Sequence, residues 1–172
     1  MSPKELLQGN WLGHPLHPAL VHVPTGLWPA ALVFDLLTLV GEGSNVAVRV
    51  SFWALVVGLA AALLAAPTGV ADWWDIKKEK RAHTLGLWHM ILNLSVVALI
   101  ATSIVLRLRQ GIDATSVAGG AIAINVVANA VLAVSGYLGG RMVFEYGISV
   151  ARISKKKWRR IAQEGKARLP AE

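Results

Sequence analysis

The sequence predicts an all-α fold: an integral membrane four-helix bundle with up-down-up-down topology. Of the 172 residues, 55% are hydrophobic and the mean hydropathy is +0.53, which is too apolar for an ordinary soluble domain. Four apolar segments approach or exceed the roughly 20 residues that a helix needs to cross the hydrocarbon core. A soluble bundle of unusually apolar helices is the alternative, but four such helices have no outer layer to cover them.

The four predicted spans are residues 18–40, 46–66, 82–106 and 117–138. Short linkers join the first span to the second and the third to the fourth, so these partners are expected to be antiparallel neighbours. Residues 1–150 form the predicted bundle, and residues 151–172 form a basic interfacial C-terminal tail. The first apolar segment is a full span, so we expect no cleavable signal peptide.

The first span opens on residues 13–24, where three histidines are interleaved with prolines. A proline pushes the residue before it toward extended backbone. We therefore expect His14 and His17 to lie in an extended approach. Pro18 is then the first helical residue, where its missing N–H costs nothing, and His22 lies about one turn inside the helix.

Polar and small residues give the spans their remaining features. Asp35, near the far end of the first span, is expected to snorkel to the opposite surface, and a buried polar site is the alternative. Small residues share one face of the second span and predict close packing there: Gly58, Ala61, Ala62 and Ala65. In the fourth span, Gly136 and Gly140 predict a helix contact face, and asparagines 125 and 129 predict amide hydrogen bonds across the bundle.

Two stretches are predicted to lie on the membrane surface. Residues 67–81, which begin with a proline that should end the second span, combine paired tryptophans with a basic cluster. The tail holds eight lysines and arginines and a tryptophan, which favours anionic lipid headgroups over nucleic acid as its partner. No nucleic-acid partner is expected.

Charge predicts the orientation of the bundle. Fourteen of the 17 lysines and arginines lie on the side shared by the N-terminus, the connector at residues 67–81 and the tail. By the positive-inside rule, both termini are then cytoplasmic. All five histidines would lie at the cytoplasmic end, because three enter the first span and two enter the third.

These histidines are the candidate site. The chain has no cysteine, so disulfides, thiolate zinc sites and iron–sulphur clusters are excluded and any metal needs nitrogen or oxygen ligands. The leading hypothesis is haem b, or else a non-haem metal, bound between the first and third spans by His22 and His89, which lie at similar depth. Outer or alternative metal ligands are His14, His17 and His83.

Neighbouring residues complete the haem hypothesis. Gly26 and Gly86, each near one of the two ligands, would leave room for a flat macrocycle. Asn93 or a main-chain carbonyl could accept the outer ring N–H and fix the tautomer.

Two other functions compete with a redox role. A non-catalytic accessory subunit of a membrane complex would use the histidines only to cap helices and to contact headgroups. A proton or ion carrier has little support, because Asp35 is the acidic residue that stands out within the apolar spans. No nucleophile–base arrangement, phosphate loop or paired carboxylate is evident, so no catalytic residue is assigned.

Three motifs carry a resemblance to a known family. They are His14-Pro-Leu-His17-Pro-Ala-Leu-Val-His22-Val-Pro24, Pro67-Thr-Gly-Val-Ala-Asp72, and Gly136-Tyr-Leu-Gly-Gly140 followed by Tyr146-Gly147. With them, residues 11–150 resemble an uncharacterised bacterial family of four-helix integral membrane proteins that carry an HPxHPxxVHxP motif and are sometimes joined to Rieske-type domains. The resemblance implies an inner-membrane protein associated with electron transfer, with a b-type haem. Any Rieske-type or larger membrane-complex partner would be a separate protein, because this chain lacks the cysteines.

Overall fold

The computed structural model describes residues 1–39, 45–150, 160 and 163–165, and it contains no strand within them. The elements are α1 (Pro3–Gln8), a 3-10 turn (Asn10–Leu12), α2 (Leu16–Leu37), α3 (Asn45–Trp73), α4 (Arg81–Gln110) and α5 (Gly119–Phe144). Four of these helices, α2 to α5, are long and apolar enough to cross a membrane. The predicted all-α, four-span fold is confirmed.

The four long helices form two antiparallel hairpins. His17 at the start of α2 contacts Ala65 late in α3, and Asp35 at the end of α2 contacts Ser51 early in α3. Helices α4 and α5 pair in the same antiparallel way. We call the end of the bundle that contains His17 the histidine end and the opposite end, which contains Asp35, the aspartate end.

Helix α2 begins two residues earlier than the sequence predicted. Pro15 is the extended N-cap residue, with φ −65° and ψ 127°, and the helix starts at Leu16. Pro18 falls in the first turn. The N–H groups of that turn have no acceptor within the helix, so the missing N–H of proline removes no hydrogen bond. The expectation that His17 lies in an extended approach is therefore wrong, because His17 is helical, whereas His14 does lie before the helix.

Helix α3 continues through Pro67, which was expected to end it. Pro67 has no N–H to donate to the carbonyl of Leu63 one turn earlier, but spanning helices tolerate an internal proline. Thr68 Oγ1 donates to the carbonyl oxygen of Ala65 at 2.6 Å, and His17 Nδ1 donates to the same oxygen at 3.1 Å. The connection between α3 and α4 is accordingly short, residues 74–80.

Predictions on two other stretches fall outside the described residues. The turn after the first span lies at residues 40–44, and of the basic tail only residues 160 and 163–165 are described. The interaction of the tail with anionic headgroups stays a prediction.

An apolar layer fills the middle of the bundle. It draws on all four helices: Trp28, Ala31, Leu55, Val96, Ile100, Ala128 and Leu132. Trp28 reaches α3 because position 58 is glycine, where a Cβ atom would lie 2.4 Å from the indole nitrogen. This confirms close packing at the small-residue face of α3 and places an indole, rather than another helix backbone, against it.

A buried ion pair joins α2 to α4 at the aspartate end. Arg107 Nη2 donates to Asp35 Oδ2 at 2.6 Å, and Nη1 donates to Oδ1 at 2.9 Å. The two side chains are 0% (Asp35) and 2% (Arg107) exposed. The expectation that Asp35 snorkels outward is wrong, because this bidentate partner neutralises the carboxylate inside the bundle.

The remaining hydrogen-bonding capacity of the pair is taken up by three polar side chains. Ser51 donates to Asp35 Oδ1, and Asn125 Nδ2 donates to Asp35 Oδ2 at 2.7 Å. Arg107 Nε donates to Ser103 Oγ at 3.3 Å. The predicted amide hydrogen bond of Asn125 across the bundle is confirmed, and all four spanning helices meet at this cluster.

Other polar contacts between the two hairpins also lie toward the aspartate end. Arg49 of α3 pairs with Asp113 after α4, and the main-chain N–H of Val117 donates to Thr38 Oγ1 at 3.4 Å. At the histidine end, the indole N–H of Trp73 donates to the carbonyl of His83 at 2.9 Å. Between the two ends, Asn129 Nδ2 donates to the carbonyl of Trp28 at 3.4 Å, which confirms its predicted amide hydrogen bond across the bundle. Most hydrogen bonds between the hairpins therefore lie toward the aspartate end.

Removing one member of the ion pair should cost far more than removing both. Arg107→Met leaves Asp35 buried and unpaired, and we expect it to lower the free energy of unfolding in detergent by about 3–5 kcal/mol. The double variant Asp35→Leu, Arg107→Met should recover most of that loss, because no uncompensated charge remains.

Arg49→Ala is the matched control, since the Arg49–Asp113 pair is exposed and should contribute no more than about 1 kcal/mol. An Arg107→Met variant as stable as Arg49→Ala would contradict a structural role for the buried pair.

Candidate functional site

Two of the five histidines lie on the surface of the bundle. His14 is exposed before α2, and its Nδ1 donates to the carbonyl of Pro15 at 3.1 Å. His22 is exposed on α2, where its Nδ1 donates to the carbonyl of Pro18, one turn earlier. Neither ring is directed into the bundle core.

His83 packs at the connection between α3 and α4. Its half-buried ring lies over the indole of Trp73, with centroids 4.4 Å apart and planes inclined by 35°. The carbonyl of His83 accepts the indole N–H of the same tryptophan. His83 therefore holds the α3–α4 connection in place.

The remaining two imidazoles meet inside the bundle. The rings of His17 on α2 and His89 on α4 have centroids 6.4 Å apart and planes at 86° to each other. Both residues are half-buried. The structure thus brings His17, and not the predicted His22, to His89, and this pair is the candidate site.

His17 is held by its own hairpin. Its Nδ1 donates to the carbonyl of Ala65 on α3 at 3.1 Å and lies 3.2 Å from Thr68 Oγ1. Because a carbonyl oxygen only accepts, the proton is on Nδ1, and Nε2 carries the lone pair that could bind a metal.

His89 is held by the other hairpin in the same way. Its Nδ1 donates to the carbonyl of Ser135 on α5 at 2.8 Å. Asn93 Nδ2 shares its two hydrogens among Ser135 Oγ at 2.8 Å, the carbonyl of His89 at 2.8 Å and, less closely, His89 Nε2 at 3.1 Å. A main-chain carbonyl therefore fixes the tautomer, and Asn93 occupies the ring nitrogen that a metal would need.

Two glycines let the imidazoles lie against neighbouring helices. A Cβ atom at Gly69 would be 2.7 Å from His17 Cε1, and one at Gly139 would be 3.1 Å from His89 Cε1. Gly139 therefore lies on the face of α5 that contacts the pair. Gly136 and Gly140 were the predicted contact positions, but a Cβ atom at either would meet no atom within 4 Å.

The space predicted for a macrocycle beside Gly86 is filled. A Cβ atom there would lie 2.6 Å from Trp73 Cδ1, whereas one at Gly26 would meet nothing within 4 Å. Shallow grooves around Trp53 and Phe144 lie away from both imidazoles. The site is closely packed and contains no preformed slot.

The donor set fits a centre with two imidazole ligands. Neutral imidazole nitrogens are suitable ligands for iron, copper and zinc, and the two ring centroids lie 6.4 Å apart. Among the described residues, no three His, Cys, Asp or Glu side chains form a metal-binding group. A two-ligand metal or a haem iron therefore fits the donors, and a haem additionally requires the hairpins to separate at this end.

The sequence contains a spacing that could have identified His17 and Arg107, which the sequence analysis did not assign to these positions. His17 and Asp35 are 18 residues apart, and so are His89 and Arg107. Eighteen residues are five full helical turns, so each pair shares one face and spans about 27 Å. The buried residues of α2 (Pro24, Trp28, Ala31 and Asp35) follow this face at spacings of three and four, and that pattern extends back to His17.

Comparison with known proteins gives one family. A family described as "Predicted membrane protein (DUF2231)" matches residues 13–152. No curated protein and no solved structure matches the chain.

A methyl group at position 69 should displace the imidazole of His17. We expect Gly69→Ala to lower the free energy of unfolding by about 1–3 kcal/mol, because the ring is wedged against the helix at that point. It should also change the ¹⁵N chemical shifts of the His17 ring by disturbing its hydrogen bond to Ala65.

Gly136→Ala is the control, since a Cβ there meets nothing and alanine favours the helix by up to about 1 kcal/mol. If both variants leave the His17 signals and the stability unchanged, the ring does not lie against Gly69.

Proposed function

The chain belongs to the DUF2231 family of predicted membrane proteins, and on that premise we propose that it is a redox-associated protein of the bacterial inner membrane. It holds haem b, or another metal, between His17 and His89. The observation that carries the proposal is the meeting of these two imidazoles, one from each hairpin, with centroids 6.4 Å apart.

The surrounding residues would prepare both rings as ligands. The carbonyls of Ala65 and Ser135 accept the Nδ1 protons, which orients each ring and raises the basicity of its Nε2. Haem iron, when bound, cycles between ferrous and ferric states and so carries one electron. Asn93 must release Nε2 of His89 before that nitrogen can bind a metal, and His14, His22 and His83 keep outer roles.

The closed packing of the site is compatible with ligand entry. Hydrogen bonds between the hairpins concentrate at the aspartate end, whereas each imidazole is anchored within its own hairpin. Parting of the hairpins at the histidine end would leave both anchors intact. The space for a macrocycle would then form between the rings.

One observation favours the alternative, a non-catalytic accessory subunit of a membrane complex. Both ring nitrogens of His89 are already hydrogen-bonded within the protein, to Ser135 and to Asn93. In this alternative the imidazoles are structural, and they join α2 to α3 and α4 to α5.

The orientation with both termini in the cytoplasm is part of the proposal. Of the three basic residues assigned to the other side, Arg107 is buried and neutralised by Asp35. Only Arg49 and Arg109 then remain to face the opposite compartment, which sharpens the charge asymmetry.

Loss of either imidazole of the pair should abolish metal binding. We expect His17→Ala and His89→Ala, purified from cells supplied with haem, to lose the Soret band, the pyridine haemochrome signal and any bound metal found by elemental analysis. His22→Ala is the control and should keep them, because its ring is exposed and outside the pair. A colourless, metal-free wild-type protein would reject the redox proposal and leave the accessory subunit.

Topology can be tested independently of any cofactor. A reporter that is active only in the cytoplasm should be active when fused after Glu172 and inactive when inserted after Asp113, between α4 and α5. The reverse pattern would invert the proposed orientation.

A further inference from the structure

The first twelve residues form a small docked segment that the histidine site does not use. Ser2 and Glu5 make a capping box at the start of α1, and Gly9 ends the helix in the left-handed conformation with φ 79°. A helix of six residues is too short to be stable alone in water. Its structure therefore depends on what the segment packs against.

The polar side of α1 faces the protein. Gln8 Nε2 donates to the carbonyl of Ala71 at 3.1 Å and to Asp75 Oδ2 at 2.6 Å, and Lys4 forms an ion pair with Asp75. Hydrogen bonds from Lys4 and Gln8 hold the pKa of the Asp75 carboxyl below its usual value. Polar contacts thus fasten α1 to the end of α3.

The apolar side of the same segment faces outward. Four large apolar side chains are 37–56% exposed: Leu6, Leu7, Trp11 and Leu12. This polarity is the reverse of that of a surface helix on a soluble protein, whose apolar face turns inward. Such a patch in water would favour aggregation.

The segment is positioned beside the membrane surface. Gly9 folds it back, because its φ suits glycine and a Cβ atom there would lie 2.3 Å from the carbonyl oxygen of His14. The spanning helix α2 starts only four residues after Leu12. Trp74 and Trp88, 72% and 55% exposed at the same end of the bundle, are typical of the aromatic belt at a membrane interface.

We propose that α1 and the following 3-10 turn form a membrane-interface foot, with Leu6, Leu7, Trp11 and Leu12 inserted into the boundary between lipid headgroups and acyl chains. Lipid is the occupant because the segment leads within four residues into α2, a candidate membrane span that also exposes apolar side chains such as Val23 and Val33. The polar contacts of Lys4 and Gln8 with the end of α3 fix the depth of this segment relative to the membrane surface. This inference does not depend on the metal site.

The absence of cysteine makes a direct test straightforward. Single spin labels are introduced at Leu7→Cys and Leu12→Cys in the full chain, which is reconstituted in phosphatidylcholine and phosphatidylglycerol vesicles. Collisions with oxygen, which concentrates in lipid, are compared with collisions with a water-soluble nickel chelate. We expect both labels to resemble Leu63→Cys, an exposed site on α3, in favouring oxygen over nickel several-fold more than Glu5→Cys does.

Two results would contradict the proposed insertion of this segment into the membrane interface. Nickel accessibility at Leu7 and Leu12 equal to that at Glu5 places the segment in water, and protection from both reagents places it against protein, as in a complex with a second copy. A second variant checks that the label itself does not create the contact. In Leu6→Gln, Leu7→Gln, a label at Trp11→Cys should become more accessible to nickel, and an unchanged accessibility would count against insertion.

Discussion

The buried pair of Asp35 and Arg107 is the interaction on which the rest of the bundle depends. A charge inside the bilayer is tolerated when an opposite charge and enough hydrogen bonds surround it. Here that requirement draws in Ser51 from α3 and Asn125 from α5, so one electrostatic constraint fixes the relative positions of all four spans. Apolar packing alone specifies such positions weakly in lipid, where helices gain little from burying apolar surface against each other.

The histidine pair follows from this constraint. Since α2 and α4 each carry a histidine five turns from the charged residue on the same face, the contact of Asp35 with Arg107 turns His17 and His89 toward each other at the opposite end. Their separate anchors, Ala65 and Ser135, then hold each ring within its own hairpin. Most hydrogen bonds between the hairpins thus lie at one end of the bundle, and the candidate ligands lie at the other.

Sequence predicted the number and order of the spans because hydropathy over 20 residues is a strong signal. Helix ends were less predictable, since Pro67 signals a break at a point where α3 in fact continues to Trp73. Depth, and the expectation that proline holds His17 outside the helix, favoured His22 as a ligand, but residues five apart lie about 140° apart around a helix. Once His17 faces the core, His22 faces outward, and the choice between them needed the position of α3. The partner of Asp35 lies 72 residues further along the chain, beyond any local pattern.

That sequence separation also sets an order for biosynthesis. The first hairpin is made while Arg107 is still unsynthesised, so Asp35 then has Ser51 as a donor without its bidentate cation. A carboxylate within a spanning helix is costly until an opposite charge pairs with it. The second hairpin therefore completes the first as well as packing against it.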